Sequence, residues 1–307
     1  MIHIREKKAR GPVFCILAAV IWGLSFVAQK SGASLGTFTF NGIRMVMGGL
    51  VLLPLVPVFH KLQNKNKEPG KETGFDFKKT AFSGTVCGLV LFVASNLQQH
   101  AFTFDITAGK VGFITALYMI LVPLAGLFAG RRIKLNVWIA LALGITGLYF
   151  LCIRKGDYGM GRGELFSLLC AFMFAAHILT VDRFCTETEP LALSCLQFLV
   201  AGAVSVIFMF IFEKPDTAEI LKYVPQLLYT GIASTGIAFT LQVFGQKYTE
   251  PAVASLLMCL ESVFSAIFGR LILHDVMGTR AIIGCVIMFA GVILSQTDFS
   301  RGEEKIG

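Results

Sequence analysis

Residues 190–212, PLALSCLQFLVAGAVSVIFMFIF, form an apolar run without a single charged side chain. A helix that crosses the hydrocarbon core of a bilayer needs roughly 20 such residues. Lipid offers no hydrogen-bonding partner for a bare backbone, so a run of this length inside a membrane must be helical. The stretch therefore predicts a membrane-spanning helix.

Nine further apolar runs recur at regular intervals on both sides of this one. The predicted spans are 12–30, 36–59, 80–100, 106–129, 133–153, 163–181, 190–212, 222–245, 251–273 and 279–297. Alternating segments of about ten residues, which are typical of outer-membrane barrels, do not occur in the sequence. We therefore expect an all-α polytopic membrane protein with ten transmembrane helices, and with residues 1–11 and 298–307 as terminal tails.

The composition excludes most other classes of protein. Of the 307 residues, 55% are hydrophobic and 15% are charged, and the mean hydropathy is +0.72. Ordinary soluble domains carry roughly 25% charged residues, so neither a soluble enzyme nor a disordered chain fits. The eight cysteines include no C-x-x-C pair, and no phosphate-binding G-x-x-x-x-G-K-[ST] motif is present. We expect no metal, no cofactor and no ATP-driven pump.

The net charge of +8 predicts an orientation in the membrane. In the first half of the chain, basic side chains gather in the N-terminal tail, in the connection 60–79 and at Arg131, Arg132 and Lys134, with only Lys30 on the opposite side. Basic connections stay in the cytoplasm and face anionic lipid. We therefore expect both termini in the cytoplasm, a plasma or inner membrane location and no nucleic-acid partner.

The two halves of the chain resemble each other. Leu97-Gln98 and Leu241-Gln242 lie 144 residues apart, and Ser25 and His177 lie 152 apart. If residues 12–153 and 163–297 are repeats, each holds five spans, and an odd number requires the second repeat to lie inverted. Inverted repeats are typical of transporters with a central site and alternating access. Glycines spaced four apart, as at Gly84 and Gly88, let helices approach closely within one chain or in a homodimer.

Four segments carry a family resemblance. They are AAVIWGLSFV at 18–27, FNGIR at 40–44, AGKVGFITALY at 108–118 and YTEPAVA at 248–254, the last leading to LESVF at 260–264. In this order they resemble the EamA-type family of the drug/metabolite transporter superfamily. The resemblance implies ten spans, two inverted repeats and export of small metabolites. Ser262 stands where the family usually has a proline, which argues against a helix break at that point.

Charged and ionisable side chains inside apolar spans are costly and are functional candidates by default. Arg44 could bind an anionic group or tie helices together. Glu261 could exchange a proton as access alternates, or it could be a fixed structural partner. Lys110 could snorkel to the surface or take part in gating. His177, opposite Ser25 in the repeat, could line a central cavity or pack in the core.

Uncharged polar and aromatic side chains complete the candidate site. Asn96, Gln98 and Gln242 should face protein or a wet cavity, because an unpaired amide in hydrocarbon is costly. We expect Gln98 and Gln242 to act as a pair. Trp22 and Tyr118 could stack on a solute or simply pack.

Two other classes of function compete with a transporter of a small-molecule solute. A membrane scaffold or receptor subunit would move no solute. An intramembrane hydrolase could use Ser34 in the G-x-S-x-G sequence 32–36 together with His177, but a nucleophile elbow needs a strand before the serine, and membrane helices flank this motif.

Overall fold

The computed structural model describes residues 2–65, 76–153, 160–272 and 278–297. Ten helices in these ranges are long and apolar enough to cross a membrane, which confirms the predicted fold class. We number them spans 1 to 10 in chain order. Their bounds are Arg10–Ser31, Thr37–Asn64, Phe77–Ala101, Ala108–Phe128, Leu135–Cys152, Arg162–Phe184, Pro190–Phe212, Val224–Gln246, Pro251–Phe268 and Thr279–Gln296.

Several predicted boundaries differ from the observed helices. Span 1 continues a helix that begins at Ile2, so most of the expected N-terminal tail is helical. Span 2 consists of Thr37–Leu52 and Leu55–Lys65, because Pro54 has no N–H with which to continue the helix ladder. A separate short helix, Thr217–Lys222, precedes span 8, and part of span 8 is a π-helix, Tyr229–Phe239.

Spans 4 and 9 are broken near their centres. Span 4 consists of Ala108–Thr115 and Tyr118–Phe128, and span 9 of Pro251–Met258 and Glu261–Ile272. Span 9 is broken just before Ser262, although the absence of the family's proline argued against a break there. The break needs no proline, because the backbone N–H of Leu260 donates to the Leu257 carbonyl and tightens the chain there.

Glycines let pairs of spans approach to backbone contact. A Cβ added at Gly284 in span 10 would lie 2.5 Å from the Gly147 carbonyl oxygen in span 5, and one added at Gly147 would lie 2.6 Å from the Gly284 carbonyl oxygen. A Cβ at Gly202 in span 7 would lie 2.7 Å from the backbone nitrogen of Val46 in span 2. Such close approach is how small residues bring membrane helices together.

The main contacts between spans are the same when spans 1–5 are exchanged for spans 6–10. Span 1 packs on spans 8 and 9, and span 6 packs on spans 3 and 4. Span 2 packs on span 8 and span 7 on span 3, while spans 2 and 7, and spans 5 and 10, pack on each other. This is the pattern that two five-span repeats would produce. The inverted relation between them stays a prediction.

Three ion pairs lie at one end of the bundle. We call the end with the connections 129–134 and 185–189 the basic end. There Arg131 pairs with Asp182 at 2.7 Å, and Glu187 pairs with both Arg183 and Lys79. Hydrogen bonds from Arg183 and Lys79 hold the pKa of the Glu187 carboxyl below its ordinary value.

At the opposite end, Glu213 fixes the start of span 2. Its carboxylate accepts hydrogen bonds from the backbone N–H groups of Phe38, at 2.9 Å, and Thr39, at 2.7 Å. Gly36 precedes this turn with φ of 90°, a conformation that favours glycine, and a Cβ there would lie 2.7 Å from the Glu213 carboxylate. The start of span 2 in turn sets the depth of Arg44.

The glycine contact between spans 5 and 10 gives a stability prediction. Gly284→Val should destabilise the protein by about 1–3 kcal/mol or more, because the added side chain meets backbone that cannot move aside. The measurement is the thermal melting temperature of the detergent-solubilised protein, followed by size-exclusion chromatography. Gly278→Ala is the control, because nothing lies within 4 Å of a Cβ at that position. Equal melting temperatures for Gly284→Val and wild type would contradict the close backbone contact between spans 5 and 10 at Gly284.

Candidate solute-binding cavity

The two broken helices meet at their breaks. The Sγ of Cys259 in span 9 lies 3.5 Å from the carbonyl oxygen of Ala116 in span 4 and donates to it. Thr115 and Tyr118 flank the first break, Met258 and Glu261 flank the second, and all four line one cavity. Broken helices that meet near the membrane centre are a common basis for solute sites in transporters.

The cavity has a volume of about 40 Å³, which is room for a few water molecules between its walls in this conformation. Spans 1, 2, 3, 4, 6, 8 and 9 all contribute to its wall. Seven of the ten side chains proposed from the sequence line it: Trp22, Ser25, Arg44, Gln98, Tyr118, Gln242 and Glu261. The structure thus brings most of the candidate residues together, and it places Asn96, Lys110 and His177 elsewhere.

Arg44 is buried at the cavity wall and held by a chain of amides. Its Nε donates to the Asn41 Oδ1 at 2.6 Å, and the Nδ2 of Asn41 donates to the Asn96 Oδ1 at 3.0 Å. Asn96 therefore supports Arg44 from behind, and its own Nδ2 donates to the Ser205 Oγ. Arg44 forms no ion pair with any described residue. Its two terminal nitrogens have no acceptor on the described part of the chain.

Glu261 is the first residue of the second half of span 9. It is buried, and within the described ranges no side chain or backbone group forms a hydrogen bond or ion pair with its carboxylate. The N-terminus of a helix carries partial positive charge, which favours a carboxylate in the first turn. This position accounts for how an acid is accommodated so far from water.

A hydrogen-bonded seam joins spans 1 and 8 at the cavity wall. The Nε1 of Trp22 donates to the Ser234 carbonyl oxygen at 3.2 Å, and the hydroxyls of Ser25 and Ser234 lie 3.0 Å apart. Ser234 belongs to the π-helix, whose wide turn is marked by a 2.8 Å bond from the Thr235 hydroxyl to the Thr230 carbonyl five residues earlier. Segments of π-helix occur frequently at functional sites.

Gln98 and Gln242 both line the cavity but do not bind each other. The Nε2 of Gln242 donates to the Gln246 Oε1 at 2.9 Å. The side chain of Gln98 has no hydrogen-bond partner among the residues that the structure describes. Each glutamine extends from a different wall, and the amide of Gln98 is left facing the cavity. Their joint action on a solute stays a prediction.

Of the two alternatives for His177, the structure shows packing in the core and not at the cavity wall. It is fully buried, its Nε2 lies 3.0 Å from the Gln197 Oε1, and its ring packs edge-on against Phe239 at 6.2 Å. Ile178, which follows His177 in span 6, and Phe239 of span 8 line the cavity wall instead. His177 supports the aromatic wall from behind.

Lys110 neither snorkels nor lines the cavity. Its Nζ lies 2.7 Å from the Glu164 Oε1, and both side chains are at most 10% exposed. The pair joins the start of span 4 to the start of span 6 at the end opposite to the basic end. Glu164 also accepts a 2.9 Å bond from the backbone N–H of Gly161.

Eight lining residues were missed from the sequence. They are Phe26, Gln29, Thr115, Phe174, Ile178, Ser234, Phe239 and Met258. Phe26 and Gln29 follow Trp22 by four and seven residues and so share its helix face, which helical spacing could have indicated. The others are apolar or small side chains that resemble ordinary packing residues.

The hydrolase hypothesis finds no support in the geometry. Ser34 is exposed in the short helix Ala33–Leu35 and donates to the Tyr223 hydroxyl at 2.9 Å. His177 is bonded to Gln197 inside the bundle. The described ranges also contain no cluster of three or more His, Cys, Asp or Glu that could hold a metal ion.

Ten apolar spans around a central cavity with a partly polar lining define a polytopic helical membrane protein. The model of the EamA-like transporter family matches residues 9–153 and again residues 161–297. The chain belongs to the EamA-like transporter family, and each half of it matches the same family model.

Known proteins agree with this assignment over nearly the whole chain. An uncharacterized transporter of Archaeoglobus fulgidus is 27% identical over 91% of this chain and 83% of its own length. The uncharacterized transporter YoaV of Bacillus subtilis is 24% identical over 93% of this chain and 96% of its own length. A chloroplastic WAT1-related protein of Arabidopsis thaliana is 22% identical over 92% of this chain and 68% of its own length. A crystal structure with 18% identity covers 96% of this chain and 99% of its own, with a TM-score of 0.76, and supports the fold.

The buried ion pair gives a second stability prediction. Lys110→Met alone should lower the free energy of unfolding by about 3–5 kcal/mol, because it leaves Glu164 charged without its cation. The double variant Lys110→Met/Glu164→Gln should recover most of this loss, since glutamine keeps an acceptor for Gly161. Melting temperatures of the two single variants and the double variant test the coupling. Additive effects of the two substitutions would contradict it.

Proposed function

We propose that this protein is a secondary transporter that exports a small, amino-acid-like solute by alternating access across the cell membrane, with both termini in the cytoplasm. One observation carries the proposal. The same cavity holds a buried guanidinium, Arg44, and a buried carboxylate, Glu261, and neither forms an ion pair with a described residue. A solute with an anionic and a cationic group would supply the missing partner of each.

The cost of burial supports this reading. A buried charge without a partner costs several kcal/mol, and bidentate binding to a carboxylate is the interaction that a guanidinium makes best. The amide of Gln98 offers a further hydrogen bond. Trp22, Tyr118 and Phe174 give part of the wall an aromatic surface, so an apolar or aromatic side group on the solute fits beside the polar end.

The broken helices support alternating access. A helix interrupted at mid-membrane can change direction at the interruption without losing the hydrogen bonds of either half. The breaks of spans 4 and 9 are in contact through Cys259 and Ala116. A change of angle at one break is thereby transmitted to the other.

The first experiment identifies the solute. Spent medium from cells that overexpress the wild-type chain is compared by untargeted mass spectrometry with medium from cells that carry an empty vector or Arg44→Ala. We expect a zwitterionic compound enriched by the wild type alone. No enrichment by the wild type would contradict export and favour the scaffold hypothesis.

Arg44 should be required for transport. Arg44→Ala is expected to lower the initial rate of export about tenfold or more, because a hydrogen bond to a charged group contributes about 1.5–3 kcal/mol. Arg44→Lys keeps the charge but loses the bidentate fork and should give an intermediate rate. The exposed Arg183→Ala is the matched control and should export normally. Full export by Arg44→Ala at matched expression would contradict the role.

Glu261 should determine selectivity for the cationic group. Glu261→Gln is expected to lower transport of the zwitterion about tenfold and to leave the desamino analogue, which has only the carboxylate, almost unchanged. The measurement is competition by the two compounds in proteoliposomes. Glu187→Gln, at an exposed carboxylate outside the cavity, is the control. Equal losses for both compounds would show that Glu261 does not bind the cationic group.

A further inference from the structure

A second cavity, of about 330 Å³, opens at the basic end of the bundle. It lies where span 4 ends and span 9 begins, and Arg131, Arg132 and Glu250 contribute charged groups to its wall. Val122, Leu179 and Pro251 supply part of an apolar surface. Nothing in the function proposed above uses this cavity.

The second cavity lies directly beyond the central one along the same helices. Tyr118 of span 4 lines the central cavity, and Val122, one helical turn later, lines the second. In span 6 the consecutive residues Ile178 and Leu179 line the central and the second cavity respectively. About one turn of helix, or roughly 5.4 Å, thus separates the two spaces on the span 4 side.

The charged groups of the second cavity repeat those of the central one. Arg131 already forms an ion pair with Asp182, at 2.7 Å. Arg132 and Glu250 are exposed, and neither forms an ion pair or side-chain hydrogen bond within the described ranges. Each cavity therefore offers one available guanidinium, one available carboxylate and an apolar wall. A solute that fits the central site finds the same three features here in a wetter setting.

We propose that the second cavity is a vestibule in which Arg132 binds the carboxylate of the solute before it moves to Arg44. The inference rests on the proposed function, since it takes its solute from the central site. The vestibule captures solute by charge, and a charged cleft raises the rate of encounter without changing the later steps. Its contribution therefore falls on kcat/KM for solute that enters from the basic end, and kcat is unaffected.

The test uses membrane vesicles of both orientations that contain the full-length chain. The probe is a radiolabelled mixture of the standard L-amino acids. Arg132→Ala should lower kcat/KM roughly 3- to 10-fold at low ionic strength when the basic end faces the medium, with kcat unchanged. It should have no effect in vesicles of the opposite orientation. Wild-type kcat/KM should fall with added salt, because salt screens the capture, and that of Arg132→Ala should stay flat.

Three further variants sharpen the test. Arg132→Lys keeps the charge and should retain most of the wild-type rate. Lys134→Ala removes a charge from the same connection but not from the cavity wall, and should behave as wild type. Gly126→Leu fills the vestibule without changing charge, since a Cβ at Gly126 points toward Arg131 at 3.7 Å, and should lower kcat/KM from the basic end alone.

Several outcomes overturn the proposal, and each has a distinct signature. Equal losses from both orientations would make Arg132 a structural residue. A loss seen in proteoliposomes containing phosphatidylglycerol, but not in phosphatidylcholine alone, would assign Arg132 to a lipid headgroup. No effect of Arg132→Ala, with transport still abolished by Arg44→Ala, would remove the vestibule and keep the central site. No transport of the label by the wild type would overturn the amino-acid-like solute and the vestibule together.

Discussion

Backbone hydrogen bonding at the membrane centre is the constraint on which the site depends. A break in a helix exposes N–H and C=O groups, and hydrocarbon cannot satisfy them. Spans 4 and 9 solve this by placing their breaks against each other and against a cavity, with the Cys259 thiol donating to the Ala116 carbonyl. The breaks put Tyr118 and Glu261 at the start of new helices, where both side chains face the cavity.

Arg44 depends on an equally specific set of supports. Its helix begins where Glu213 binds the first N–H groups of span 2, and its guanidinium is steadied by Asn41, which in turn is held by span 3. The bond to Asn41 uses the Nε of Arg44 and leaves its two terminal nitrogens without an acceptor on the described part of the chain. Arg44 and Glu261 line one cavity and form no ion pair with each other, so the proposed solute would bring a partner for each.

Much of this arrangement could be predicted from the sequence, and the failures have physical reasons. Ten apolar runs specify ten helices, because lipid permits little else. Most of the proposed side chains line the cavity because polar groups at depth must avoid lipid. That rule does not distinguish a cavity from a protein interior, and Asn96 and His177 satisfy it by binding other side chains inside the bundle. The partner of Lys110 and the bond of Cys259 depend on tertiary contacts that no local pattern encodes.

Among the described residues that line the central and the second cavity, none belongs to span 5 or span 10. These two spans are joined to each other by backbone contact at Gly147 and Gly284. The spans that form this contact are therefore different from the spans that line the cavities. Natural drift or laboratory evolution can therefore change the lining of spans 1, 4, 6 and 9 for a new solute while the glycine seam keeps the bundle assembled. A fold with this division of labour is well suited to diversify into many transporters with different cargo.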